Sequence, residues 1–178
     1  VNNNWERNEG NAASAGFYEP QSMDFDSNGD LIIADYQYIK KLTVGTQASD
    51  PQVTTILEPG WGQKRGLVVD SSDNIYFSMT EENSLYKYVA STGSLTKLIE
   101  SETGGNEDGA INTASISTPR DITLHPSTGN LVFVQEDDKK IRTIDFSPKI
   151  RISAGQTTGT YSLTIKDESF YEDNETIK

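Results

Sequence analysis

Asp108-Gly109-Ala110-Ile111-Asn112-Thr113-Ala114-Ser115-Ile116-Ser117-Thr118-Pro119, leading to Ile122-Thr123-Leu124-His125, is a near-copy of an earlier stretch. That stretch runs from Glu9-Gly10 through Ala15, Phe17 and Pro20 to Met23-Asp24-Phe25-Asp26. Gly, Ala, an apolar residue and Pro stand at the same offsets, and the copies lie 99 residues apart. Leu67-Val68-Val69-Asp70 is a third, weaker copy, 44 residues after the first strand and 55 before the last. Self-similarity at this period marks stacked or radially arranged units. Such units usually form a binding scaffold, so function is not expected to rest on a single catalytic triad.

Each unit opens on an apolar strand: Met23–Asp26, Leu67–Asp70 and Ile122–His125. A polar turn follows, in which Gly29 and Gly129 take positive φ at little cost. Next come Leu31–Asp35, Ile75–Met79 and Leu131–Gln135, nearly continuous apolar runs of the kind buried on both faces. A third strand, Tyr38–Val44, Leu85–Val89 or Lys140–Phe146, carries aromatic or basic residues at alternate positions, which predicts a wetter face. A fourth segment closes at least two units, at Val53–Leu57 and Leu95–Ile99. Four antiparallel strands with a return connection make one blade of a β-propeller. A β-sandwich with chance similarity among its turns is the alternative, but the long leader repeats along with the strands.

The composition fits an all-β chain, with abundant turn-forming residues and hydrophobic residues at 34% of 178. The net charge of −12 argues against nucleic acid, which requires basic groups to neutralise phosphates, and against an anionic membrane surface. With no cysteine there are no disulfides or thiolate metal sites. No run of 18 apolar residues is present for membrane insertion. The chain begins at Val1, which reads as a processed form or a piece of something longer.

The residues Gly10, Ala15, Phe17, Pro20, Met23, Gly29, Asp30, Leu31 and Asp35 resemble the pattern of NHL-repeat β-propellers. Gly109, Ala114, Ile116, Pro119, Ile122, Gly129, Asn130, Leu131 and Ile141-Arg142 resemble it again. The second unit departs from it: Lys64 stands where Pro is expected, and the Gly-x4-Ala leader is missing. The resemblance covers about residues 8–146. It implies about three blades of a ring that usually has about six. Three blades leave two open edges. Further chain, another subunit or an open arc would account for them, and further chain is the favoured expectation.

From Ile150 the texture changes. Ala154-Gly155-Gln156-Thr157, the alternating Tyr161–Ile165 and Asp167-Glu168 before Glu172-x-x-Glu175 resemble the Calx-β motif, an immunoglobulin-like sandwich module. The resemblance implies a domain boundary between 148 and 149, with a partial sandwich over 149–178. It also implies Ca²⁺ coordination by Asp167, Glu168, Glu172 and Glu175, since Ca²⁺ takes six to eight oxygen ligands. The alternative is a solvated acidic turn that opens the next strand. Residues 149–155 read equally well as the fourth strand of the third blade.

Other constellations are weaker. Asp26-x-Asn28-x-Asp30 looks like the start of a calcium loop, but Leu31 and Gln37 stand where Gly and Glu are needed, so a hairpin turn is expected. His125, the only histidine, stands where the other units have Asp and reads as a turn residue. Trp61, Tyr36 and Tyr38 are candidate ligand-binding residues on loops between and within blades, with Trp5, Tyr86 and Tyr88 as further aromatics; packing is the default role. The expected function is a non-enzymatic extracellular or cell-surface binding or adhesion module of a larger bacterial protein, with a protein or glycan partner. One alternative is a lactonase- or lyase-type propeller enzyme, with Asp35, Met79 and Gln135 facing a central channel. The other is a purely structural assembly in which chains pair to complete a ring.

Overall fold

Alternation along the apolar strands produces three antiparallel sheets in the computed structural model, which describes residues 9–44, 51–60, 62–147 and 164–167. The first sheet holds β1 (Gly10–Asn11), β2 (Pro20–Phe25), β3 (Leu31–Asp35), β4 (Tyr38–Thr43) and β5 (Gln52–Leu57), in the order β1-β5-β4-β3-β2. The second holds β6 (Leu67–Val69), β7 (Ile75–Met79), β8 (Ser84–Val89) and β9 (Ser94–Glu100) in sequence order. The third holds β10 (Gly109–Ala110), β11 (Pro119–Leu124), β12 (Leu131–Gln135), β13 (Lys140–Asp145) and β14 (Thr164–Asp167), in the order β10-β14-β13-β12-β11. The chain is therefore all-β, with the blade topology and the nearly buried middle strands expected from the repeat. The two leaders add a short fifth strand, Gly10 opposite Val53 and Gly109 opposite Ile165, which partly covers an outer edge.

The innermost strands β2, β6 and β11 stand next to one another, and the blades pack face to face. On each blade one face looks back to the preceding blade and the other looks on to the following one. Ile32, Ala34 and Ile39 of the first blade meet Ile75, Phe77 and Met79 of the second. Tyr76 and Leu85, on the second blade's other face, meet Ile122, Leu131, Phe133 and Ile144 of the third. Each Ile, Leu, Phe or Met among them contributes about 1.5–3 kcal/mol when fully buried. The approach is closest at Gly66: a Cβ there would lie 2.3 Å from the carbonyl oxygen of Arg120. Only glycine allows this contact between neighbouring innermost strands.

Two expectations are corrected. Two basic residues of the third strands, Lys40 and Arg142, are not on a wet face but fully buried, whereas Lys41, Lys87 and Lys140 are half-buried. The two buried ones occupy the same repeat position, Lys40 opposite Ile33 and Arg142 opposite Phe133. Each ties down the leader of its own blade. Lys40 Nζ donates to the Gly16 carbonyl at 2.9 Å, and Arg142 Nη1 to the Ser115 carbonyl at 2.5 Å. The second blade has no leader to hold and carries Tyr86 at this position, stacked on Phe77.

The second correction concerns the C-terminal segment. Thr164–Asp167 pairs with β13, Ile144 opposite Ile165 and Arg142 opposite Asp167. Ile165 is buried in the core between the second and third blades. The third blade thus extends past the expected boundary at 148/149, and no immunoglobulin-like sandwich occurs among the described residues. Alternation of Tyr161-Ser162-Leu163-Thr164-Ile165 marks a half-buried strand without saying which sheet it joins. Residues 149–155 lie outside the described residues.

Candidate functional site

The blade topology gives the arc two ends. One carries the β2–β3 turn and its equivalents. The other carries the β3–β4 turn, the connection from β5 to β6 and the starts of the innermost strands.

At the first end, Asp26 Oδ1 accepts the amides of Asn28 and Asp30, both at 2.9 Å. Asp70 Oδ1 accepts those of Ser72 at 2.9 Å and Asn74 at 3.0 Å. His125 does the same work with Nδ1, which accepts the Ser127 and Thr128 amides, both at 3.3 Å. The histidine is thus a turn residue, as its position in the repeat implied. Lys41 Nζ lies 2.7 Å from both Asp26 Oδ2 and Asp30 Oδ2, so a lysine neutralises this pair within a hairpin, and the segment is not a calcium loop. Burial pushes the Asp26 carboxyl up, but the Lys41 hydrogen bond and the two turn amides outweigh it and hold the group below its ordinary value. Asp70 is lowered in the same way, burial being outweighed by Asn74 and the turn amides. A groove of about 270 Å³ between the first two blades opens here, lined by Asp26, Lys41, Asp73 and Tyr88.

At the second end, Tyr36 takes a left-handed φ of 45° between β3 and β4. Its ring meets that of Tyr18 edge-on at 5.2 Å, and Tyr18 is exposed. Tyr38 is buried beside Lys40 Nζ, 5.3 Å from its ring centroid, and offers no surface to a ligand. Trp61 lies outside the described residues, as do Trp5, Glu168, Glu172 and Glu175. Asp167 ends β14, and its backbone stands opposite Arg142.

Lys64, in the place of the expected proline, is fully buried. Its Nζ donates to the carbonyls of Tyr36 at 2.5 Å, Gly60 at 2.9 Å and Gly62 at 3.1 Å. Burial pushes its ammonium down to about 8, against the weaker opposing pull of Glu82, Glu81 and Asp35. One side chain thus fixes the turn of the first blade to the backbone on both sides of Trp61.

Next to Lys64, Arg65 lies two residues before β6, and Arg120, within β11, stands at the equivalent repeat position. The two backbones are held together by Ser78: its Oγ accepts the Gly66 amide at 2.9 Å and donates to the Arg120 carbonyl at 2.7 Å. Arg65 is steadied by Gln63, and Arg120 by Glu136. The Nε atoms of both guanidinium groups are buried without a hydrogen-bond partner. This pair of arginines on neighbouring backbones was missed in reading the sequence, although position 65 follows Lys64 as position 120 follows Pro119.

Asp35, Met79 and Gln135 do not face a channel; all three are fully buried. Asp35 is paired with Lys40 at 2.8 Å and accepts the amides of Tyr18 and Glu19 at 2.9 and 2.7 Å. Gln135 serves Arg142 and the Gly105 carbonyl, both at 3.1 Å. Among the described residues, no group of three or more His, Cys, Asp or Glu is placed to hold a metal ion.

No protein-family model and no curated protein matches the chain. Solved structures do. Virginiamycin B lyase from Staphylococcus aureus, as the inactive H270A variant with quinupristin, is similar at 17% identity and a TM-score of 0.53, over 85% of this chain and 42% of that one. A streptogramin B lyase is similar at 22% identity and 0.52, over 81% and 39%. The calcium structure of a Trichoderma reesei protein of carbohydrate-active enzyme family AA12 is similar at 17% identity and 0.52, over 82% and 40%. The chain thus spans about 40% of the solved structures it matches, and the likeness establishes the fold as part of a β-propeller.

Proposed function

We propose that this chain is a non-enzymatic binding module, an NHL-type propeller segment of an extracellular or cell-surface protein. Its ligand surface is the end that carries Tyr18, Tyr36, Arg65 and Arg120. The observation that supports this most is the pair of arginines at one repeat position, joined through Ser78, at the end of the arc that also carries the exposed Tyr18 ring and the half-buried Tyr36. Guanidinium groups recognise carboxylates by paired hydrogen bonds, and aromatic faces take sugar rings or apolar side chains. An acidic glycan is the partner these groups fit best. The test is a binding screen of acidic and neutral oligosaccharides on the immobilised chain, repeated with R65A/R120A and Y36A variants. Binding of uronate-bearing oligosaccharides that the double arginine variant loses at least tenfold supports the reading. Binding that the variant retains, or no preference for acidic sugars, removes it.

A lyase-type activity is the weaker reading. The one histidine serves its own turn at the opposite end, and Asp35 and Gln135 are used inside their blades. Calcium coordination by Asp167, Glu168, Glu172 and Glu175 rests on charge alone, five carboxylates within residues 167–175. A calorimetric Ca²⁺ titration of the chain and of an E172Q/E175Q variant tests it: heat from the chain alone supports the site, and no heat removes it.

A further inference from the structure

The internal repeat allows the two outer blade faces to be compared, position by position, with faces that are covered. The preceding face of the third blade is covered by the second blade. Among the described residues, no other blade covers the preceding face of the first blade. Met23 is 66% exposed, whereas its equivalent Ile122 is 5% exposed. Phe25 is 62% exposed, whereas Leu124 packs against the core. At the other end of the arc the comparison inverts. Val134 and Ile141, on the following face of the third blade, are 40% and 45% exposed, and their equivalents Ala34 and Ile39 are both at 0%.

The polar contacts between blades follow the same positions. Where the first and second blades meet, Ser22 Oγ accepts the Leu67 amide at 3.0 Å and Asp24 Oδ2 accepts the Val69 amide at 2.9 Å. The third blade carries Asp121 and Thr123 at the positions of Ser22 and Asp24, so oxygen acceptors recur on its open face. The first blade carries Met23 and Phe25 at the positions of Leu67 and Val69. The open face at each end is therefore of the type that the other end is built to meet.

We propose that two copies of this chain close one ring, the first blade of each seating on the third blade of the other. A head-to-tail contact makes a closed assembly when its rotation returns to the start. Two three-blade arcs give six blades, within the range of about four to eight that propellers adopt. Closure buries Met23 and Phe25 against Val134 and Ile141, twice over.

Sedimentation velocity on the wild-type chain tests this directly. The expected species has about twice the 19.6 kDa chain mass at concentrations of about 10–100 μM. Met23→Asp and Val134→Asp each damage both interfaces and give monomers. An equimolar mixture of the two variants restores a dimer, because a mixed pair keeps one undamaged interface. A wild-type monomer at 100 μM, the outcome if further blades of a longer polypeptide cover these faces, overturns the proposal. So does an open-ended polymer, or a mixture that stays monomeric.

Discussion

Lys40 and Asp35 form an ion pair of 2.8 Å with both side chains fully buried, and the same ammonium holds the Gly16 carbonyl at 2.9 Å. Asp35 in turn accepts the Tyr18 and Glu19 amides, so the pair attaches the leader to the first blade at both groups. The third blade repeats the device with Arg142 and Gln135, 3.1 Å apart. Breaking a buried pair from one side leaves an uncompensated charge. Lys40→Met is expected to lose about 3–5 kcal/mol, read from chemical denaturation, whereas Lys40→Met with Asp35→Asn should recover part of that loss. A single variant that unfolds at the wild-type denaturant concentration would contradict this role.

Gly66 sets the spacing of the innermost strands. Gly66→Ala places a methyl group against the Arg120 backbone and is expected to cost about 3 kcal/mol. Gly93 supplies the comparison: its φ is +71° but nothing lies within 4 Å of an added Cβ. Gly93→Ala should cost only about 1 kcal/mol, from backbone strain alone. Equal losses in thermal melts would mean that close approach does not limit the packing of β6 on β11.

His125 does with a ring nitrogen what Asp26 and Asp70 do with a carboxylate. Its two hydrogen bonds are 3.3 Å long, against 2.9–3.0 Å in the aspartate turns. His125→Asp is expected to stabilise the chain by about 1 kcal/mol, since bonds to a charged acceptor are the stronger kind. A loss of stability would show that the histidine has a use outside the turn.

Asp26 and Asp70 are held below the ordinary carboxyl value, about 3.8, in the folded chain. The unfolded chain then binds protons more readily than the folded one near that pH. The stability these groups supply is full above 3.8 and disappears as pH falls through their folded values. A Asp26→Asn/Asp70→Asn variant should therefore show a flatter acid limb below about pH 4 in melting temperature plotted against pH. An acid limb identical to that of the wild type would place the acid sensitivity elsewhere.

The blade plan was legible because its parts are local. Leu31–Asp35 reads as a buried run, and Gly29, at φ 78°, closes the turn beside it. The leader was legible because it occurs twice. Lys40 and Arg142 were not, since a cation at an alternate position looks solvated until its partners are known. Those partners are the carbonyls of Gly16 and Ser115, 24 and 27 residues away in sequence. Arg65 and Arg120 become neighbours only when Gly66 brings two innermost strands together. The resemblance at the C-terminal end gave Thr164–Asp167 to a different sheet, because alternation carries no information about a strand's partner.

Removal of residues 148–178 tests the three-blade architecture most directly. That truncation deletes β14, takes Ile165 out of the core and exposes the edge of β13. If β14 completes the third blade, the melting temperature of the remaining chain falls by about 10 °C or more. An unchanged melting temperature would contradict the account and restore a separate module after Pro148.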